Sequence, residues 1–431
     1  MVIVLGSAFT SIPMMFRHIG MRLQFKNPDS RRPFYEEERR RNQIRKEEAL
    51  AWKRQKRKQK AAESAPQVNG EAAVSQDRAE HPPLEGGRDP LVCDVRYYAR
   101  RVGLEVEEYA VQTEDGFIIN LQHVYDPHTS SPASPSQRSH QPPIGFPKTF
   151  SESAETSPSS STTSTATPPQ LKPNPLNSTT RKYPVLLMHG LLQSSGAYCV
   201  NDDASLAFSL AKSNYDVWLG NNRCGFSPKH TLLSTSDPRM WNWNIRQMGV
   251  MDLSALISRV LAETGFPKLG LVCHSQGTTQ TFVALAKGQR PDLGEKISVF
   301  CALAPAVYAG PLIGKMYFKF MRIISPGMFR MMFGIHAFIP FMMTMHKYLP
   351  ARLYGAMGYR VFAFLFNWTD TRWDLGLRDR FFMFSPVWVS AESMRWWLGR
   401  ECFAQQKCIL ATREEKLQED REDEEAEEER E

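Results

Sequence analysis

The stretch LVCHSQGTTQ, residues 271–280, places Ser275 two residues before Gly277, directly after an apolar run. A serine hydroxyl on a sharp strand-to-helix turn is the nucleophile of the G-x-S-x-G pattern. Here Cys273 stands where the first glycine of that pattern is expected. Residues two away from the nucleophile must be small, because strand and helix approach closely there. Gly277 meets that need, and Cys273 is larger but compact. His274 and Gly277 complete this candidate elbow, although His274 is expected to point away from the serine. The competing interpretation is an ordinary Ser–Gly turn. A second stretch, LLMHGLL at 186–192, puts His189 and Gly190 after another apolar run. In this order the backbone N–H groups of Leu191 and Gln276 can hold the oxyanion formed when Ser275 attacks an ester carbonyl. His189 can equally be a turn residue with no chemistry.

A serine nucleophile also needs a general base, and on this fold the triad runs serine, acid, histidine. The histidines after Ser275 are His336 and His346, both upstream of Asp370, Asp374 and Asp379. The required order therefore fails, and no catalytic acid or histidine is found. The chain closes in REEKLQEDREDEEAEEERE, too charged to be a strand. Two explanations fit: a shortened form of a longer hydrolase, favoured because everything upstream is intact, or a catalytically inactive relative. No cofactor and no metal are expected.

Positioning these residues takes alternating strands and helices. The runs YPVLLMHG, YDVWLGN, KLGLVCH and ISVFCALAP read as strands. DDASLAFSLAKSN, NIRQMGVMDLSALISRVLAETG and QGTTQTFVALAKGQ read as helices, the first capped near Asp202 or Asp203. That alternation implies an α/β fold with a parallel sheet. Upstream, EEYAVQT and FIINLQHVY flank EDG as a hairpin. Residues 61–90 and the Ser/Thr/Pro-rich 127–182 read as disordered segments, the second a surface insertion. The domain plan is an anchor over 1–26, a basic helix and linker over 27–90, a hydrolase domain over 91–412, and an acidic tail over 413–431. Residues 306–385 form a cap dense in Met, Phe and Ile, read as a lid that meets lipid, or residue by residue as a buried helical layer.

The 431 residues are 42% hydrophobic, enough for a sizeable core. The net charge of +7 is unevenly spread: residues 1–60 hold 16 Lys/Arg against 6 Asp/Glu, and residues 413–431 hold 4 against 12. Seven scattered cysteines, none in C-x-x-C spacing, favour free thiols in a reducing compartment. Sequons at Asn177 and Asn367 matter only in a secretory lumen. The opening MVIVLGSAFTSIPMMF is apolar but shorter than the roughly 20 residues a spanning helix needs, and Pro13 interrupts it. It reads as a membrane anchor, spanning or lying in the interface; a signal peptide or a helix docked on the core are the alternatives. The basic residues that follow fit cytoplasmic contact with anionic lipid, or merely a solvated helix. A nucleic-acid role is disfavoured, because few aromatics interleave the charges.

The stretches EEYAVQTEDGFIINLQHV, LLMHGLLQSS, DVWLGNNRCGFSPKHT, CHSQGTTQ and MFSPVW together resemble the α/β-hydrolase lipases of the acid-lipase and fungal steryl-ester-hydrolase group. The resemblance spans about residues 95–412 apart from the insertion, and it implies an α/β-hydrolase sheet with a helical lid, incomplete at the C-terminus. It further implies a membrane-associated hydrolase of steryl esters or triacylglycerols, working at lipid droplets, endoplasmic reticulum or plasma membrane with its hydrolase domain cytoplasmic. The expected partners are a lipid ester and a membrane or droplet surface, without nucleic acid; the oligomeric state stays open. A non-catalytic lipid-binding or scaffold relative and an acyltransferase on the same fold remain alternatives.

Overall fold

A computed structural model describes residues 2–63, 90–130, 181–308 and 316–399, with Phe403 and a few residues between 414 and 425. The expected linker at 61–90, the insertion at 127–182 and the acidic tail fall largely outside the described residues.

Helix α1 (Val2–Leu23) contains Pro13, and α2 (Tyr35–Glu63) carries the basic run. After α3 (Val95–Arg100) come β1 (Glu105–Gln112) and β2 (Ile118–Tyr125), the hairpin expected from sequence. Its turn is closed by Thr113 N–H donating to the Phe117 carbonyl at 2.8 Å, and Gly116 supplies φ +90°. β3 (Tyr183–Met188), α4 (Leu206–Lys212) and β4 (Tyr215–Gly220) follow. The next helical stretch begins at Ile245 with a capping box between Asn244 and Gln247, and passes through a π-helical turn at Met248–Leu253. It continues as α5 (Ser254–Thr264), which ends at Gly265 with φ +67°. Then come β5 (Leu269–His274), α6 (Gln276–Leu285) and β6 (Ile297–Leu303).

The six strands lie in the order β1-β2-β4-β3-β5-β6. β2 meets β4 antiparallel, and β4, β3, β5 and β6 are parallel. Along β3 the alternation divides the core: Leu186 and Met188 join one buried cluster with Leu271 and Cys273, while Val185 and Leu187 join the other with Val217 and Leu219. Both sheet faces are thus covered around β3, which is why its sequence is continuously apolar. β6 differs. Its apolar run is largely exposed, with Val299 54% accessible, and among the described residues nothing pairs with its far edge.

The cap is helical as expected: α7 (Met316–Ile323), α8 (Pro326–Phe333), α9 (Phe341–Tyr348), α10 (Ala351–Phe366) and α11 (Leu375–Phe381), before α12 (Ala391–Leu398). Its apolar residues divide between buried and exposed positions. Phe329, Phe338 and Phe362 are buried in the core cluster that includes the strands. Met316, Ile323, Met331 and Phe341 are exposed.

The N-cap of α4 is Ser205, just after Asp202 and Asp203, and Asp202 receives Arg101 and Arg380, each at 2.9 Å. The spanning alternative for residues 1–26 is not supported: no described helix is long and apolar enough to cross a membrane. Polar residues and Pro13 break the apolar window of α1, and Arg17 and His18 follow within the same helix. α1 packs along α10.

Candidate active site

Ser275 sits between β5 and α6 at φ +50° and ψ −114°, a strained conformation for a residue with a Cβ. Such a conformation costs about 1–3 kcal/mol and persists only where its surroundings hold it. Here the Ser275 N–H donates to the Leu303 carbonyl at the end of β6 at 2.9 Å. Its carbonyl accepts from the Thr278 N–H at 2.9 Å and the Thr278 hydroxyl at 2.5 Å. The side chain is half-buried. Gln276 opens α6, so its backbone N–H belongs to the helical first turn that has no intrahelical acceptor. Its buried side chain is held inward, Oε1 accepting from the Trp397 indole of α12 at 3.1 Å.

Small residues are required here on geometric grounds. A Cβ on Gly277 would come within 2.9 Å of both the Met188 and His189 carbonyl oxygens. One on Gly190 would meet Ser275 Cβ at 3.1 Å and His274 Nδ1 at 2.8 Å. The loop after β3 therefore lies directly against the elbow, as the oxyanion arrangement requires. Cys273 fits without strain. It is fully buried, its Sγ lies 3.3 Å from the Thr281 hydroxyl, and burial pushes its thiol up to about 12, leaving it unreactive.

The two histidines beside the elbow are tied up. His189 is buried; its Nδ1 faces the Gly190 carbonyl at 2.9 Å and its Nε2 accepts from Asn222 N–H at 3.2 Å. Those partners place the proton on Nδ1, and burial lowers the pKa to about 4, so the ring is neutral and braces the loop. His274 is held at the loop after β3: Nδ1 meets Gln193 Oε1 at 3.1 Å, and burial lowers its pKa. The same Gln193 oxygen accepts the Gly190 N–H at 3.0 Å. Gly190 N–H is therefore engaged. Among the described residues no imidazole or carboxylate is hydrogen-bonded to Ser275. His336 reaches the Ser236 carbonyl at 3.3 Å and His346 the Met383 carbonyl at 2.8 Å.

Sequence reasoning missed the groups that hold the loop. Ser194 donates its N–H and its hydroxyl to the Phe384 carbonyl, each at 3.1 Å. The Leu192 carbonyl accepts from Val387 N–H and the Ser385 hydroxyl, each at 3.0 Å. MFSPVW is thus the strap under the loop after β3, and Gly196 leaves room for the Phe384 ring. No local periodicity signals such a role. Equally silent was Arg223, whose guanidinium is buried between Asp252 at 2.8 Å and Asp115 at 2.7 Å and lies 4.1 Å over the Phe117 ring.

Residues 95–160 match the family model of the partial alpha/beta-hydrolase lipase region, and residues 183–305 that of the alpha/beta hydrolase fold. The chain is 38% identical over 318 residues to Sterol esterase 2 of Saccharomyces cerevisiae, covering 72% of this chain and 50% of that protein. It is 33% identical over 207 residues to the lysosomal acid lipase/cholesteryl ester hydrolase of Macaca fascicularis, covering 48% of this chain and 40% of the relative. Over 158 residues it is 40% identical to the gastric triacylglycerol lipase of Bos taurus, covering 36% and 39%. The chain spans about half the length, or less, of the curated relatives it matches.

Proposed function

We propose that the chain is a member of the α/β-hydrolase lipases and that it hydrolyses lipid esters, of the steryl ester or triacylglycerol type, with Ser275 as nucleophile. The observation that carries the reading is the strained Ser275 turn packed against Gly190 of the loop after β3. In this reading Ser275 Oγ attacks the ester carbonyl, and the N–H groups of Leu191 and Gln276 hold the resulting oxyanion. The leaving alcohol takes a proton, and water then releases the acid from the acyl-serine. The described residues bring no histidine to Ser275, so the proposal assigns the general base and its acid partner to residues outside them. Residues 91–412 act as the hydrolase unit, with 306–385 as its cap. The exposed Met and Phe side chains of α7 to α9 and the basic α2 fit a membrane or droplet surface, with α1 lying in the interface.

One observation favours a second reading, a non-catalytic lipid-binding relative: the absence, among the described residues, of any histidine bonded to the serine. A single experiment decides between them. Hydrolysis of p-nitrophenyl butyrate by the 431-residue chain is followed with and without added imidazole, for the native chain and Ser275→Ala. The hydrolase reading expects imidazole-stimulated turnover that disappears in Ser275→Ala. Equal rates for the two folded chains would leave only the binding reading.

A further inference from the structure

A cavity of about 740 Å³ opens beside the elbow. That volume is within the range of small-molecule sites. Its lining includes His274, the residue before Ser275, and Gln193, whose side-chain oxygen meets His274 Nδ1 and accepts the Gly190 N–H. Its walls come from three separate parts of the chain. The turn that follows the loop after β3 gives Tyr198 and Ala204, and the cap gives Trp368, Trp373 and Phe381. The third wall is N-terminal: Phe34, at the start of α2, with Glu37, Glu38 and Arg41 from its first two turns. The charged groups among these are largely spent on one another. Arg41 pairs with Asp374, Glu38 with Arg32 at 2.9 Å, and Arg378 with Asp370 at 2.7 Å. Glu38 also accepts the Leu375 N–H at 3.3 Å, and Arg32 donates to the Trp373 carbonyl. These contacts fasten α2 to α11 across the mouth. What remains for a ligand is the aromatic surface, the His274 imidazole and the Gln193 amide, with Glu37 and Arg372 also in the lining.

We propose that this cavity seats the bulky neutral apolar body of the ester, its alcohol or its acyl part, and that the start of α2 is a wall of the binding site. The N-terminal segment then selects substrate as well as meeting the surface. Aromatic walls suit this role, because they offer large apolar area with little side-chain entropy to lose. The assignment rests on Ser275 being the reacting serine, since it is the chain neighbour of His274 in the cavity lining.

Binding tests the cavity without requiring catalysis. The 431-residue chain is titrated with dehydroergosterol and, separately, with cis-parinaric acid, and fluorescence reports occupancy. The variants are Ala204→Trp, which adds bulk from an exposed position into the cavity, Phe34→Ala, and Ser275→Ala. Ala204→Trp and Phe34→Ala should each weaken at least one probe by roughly tenfold, the scale of one aromatic contact. The probe that loses affinity identifies alcohol or acyl as the occupant. Unchanged affinity of both probes in both variants, or no binding at all, would overturn the proposal. Ser275→Ala should bind as the native chain does. A failure of the imidazole experiment combined with cavity-dependent binding would therefore sink the serine assignment and leave the cavity standing.

Discussion

At the residue scale, the candidate site is a problem of space before it is one of reactivity. Ser275 must project from a turn at φ +50°, and two glycines make that turn possible. Gly277 shows this most sharply, because a methyl there would press on two backbone carbonyl oxygens that have no freedom to move. Gly277→Ala should therefore cost about 1–3 kcal/mol of stability, as overpacking does, and should shift the elbow. The denaturant midpoint measures the first effect, and Ser275-dependent esterase rate the second. A variant as stable and as active as the native chain would show that the turn relaxes freely. This requirement was legible from sequence, since S-x-G after an apolar run calls for it. The requirement at Gly190 was half legible: the motif named the residue, while its contact with Ser275 Cβ emerged only when β3 and β5 were seen side by side.

At the element scale, the antiparallel part of the sheet is pinned by one imidazole. His123 on β2 lies between Glu107 of β1 at 3.0 Å and Asp216 of β4 at 2.6 Å, and stacks on Trp218 with ring centroids 4.3 Å apart. Burial opposes its charge, but hydrogen bonds and charge from Asp216 and Glu107 outweigh that, and the pKa rises to about 9. A group whose folded pKa is raised stabilises fully below its unfolded value, near 6.5, and loses that contribution as pH climbs through about 9. The native chain should lose stability relative to His123→Gln between pH 7 and pH 9.5. Denaturant unfolding of both proteins at the two pH values checks this, and a constant difference would mean that His123 is uncharged. The strands themselves were readable from apolar runs and the EDG turn. The clustering of three polar residues from three strands was not, because register and strand order decide it.

At the scale of the whole molecule, distant segments are joined by buried charge. Arg223, after β4, is clamped by Asp252 from the π-helical turn and by Asp115 from the hairpin turn. Arg223 and Asp252 have no accessible side-chain surface. Removing one member strands a charge in the interior, a loss of about 3–5 kcal/mol. Asp252→Ala should lower the unfolding free energy on that scale, and Arg223→Met/Asp252→Leu should lose less, because the one charge it leaves unpaired, Asp115, is partly exposed to water. Chemical denaturation of the three chains measures both, and a double variant weaker than the single one would refute the stranded-charge account. On the same scale, the N-terminal helices lie on the cap, α1 along α10 and α2 fastened to α11.

The sequence by itself determined the α/β alternation, the hairpin, the elbow serine, the glycines beside it and the helical cap. These are set by nearest neighbours, by hydrophobic period and by the backbone freedom of a few residues. Only the tertiary structure decided that MFSPVW straps the loop after β3, that Gln193 occupies the Gly190 N–H and that α1 docks on the cap. It also decided that the start of α2 walls a cavity whose lining includes His274, the residue before Ser275. Each of these depends on contacts between segments far apart in the chain, which are fixed by strand order and packing and leave no trace in local residue patterns.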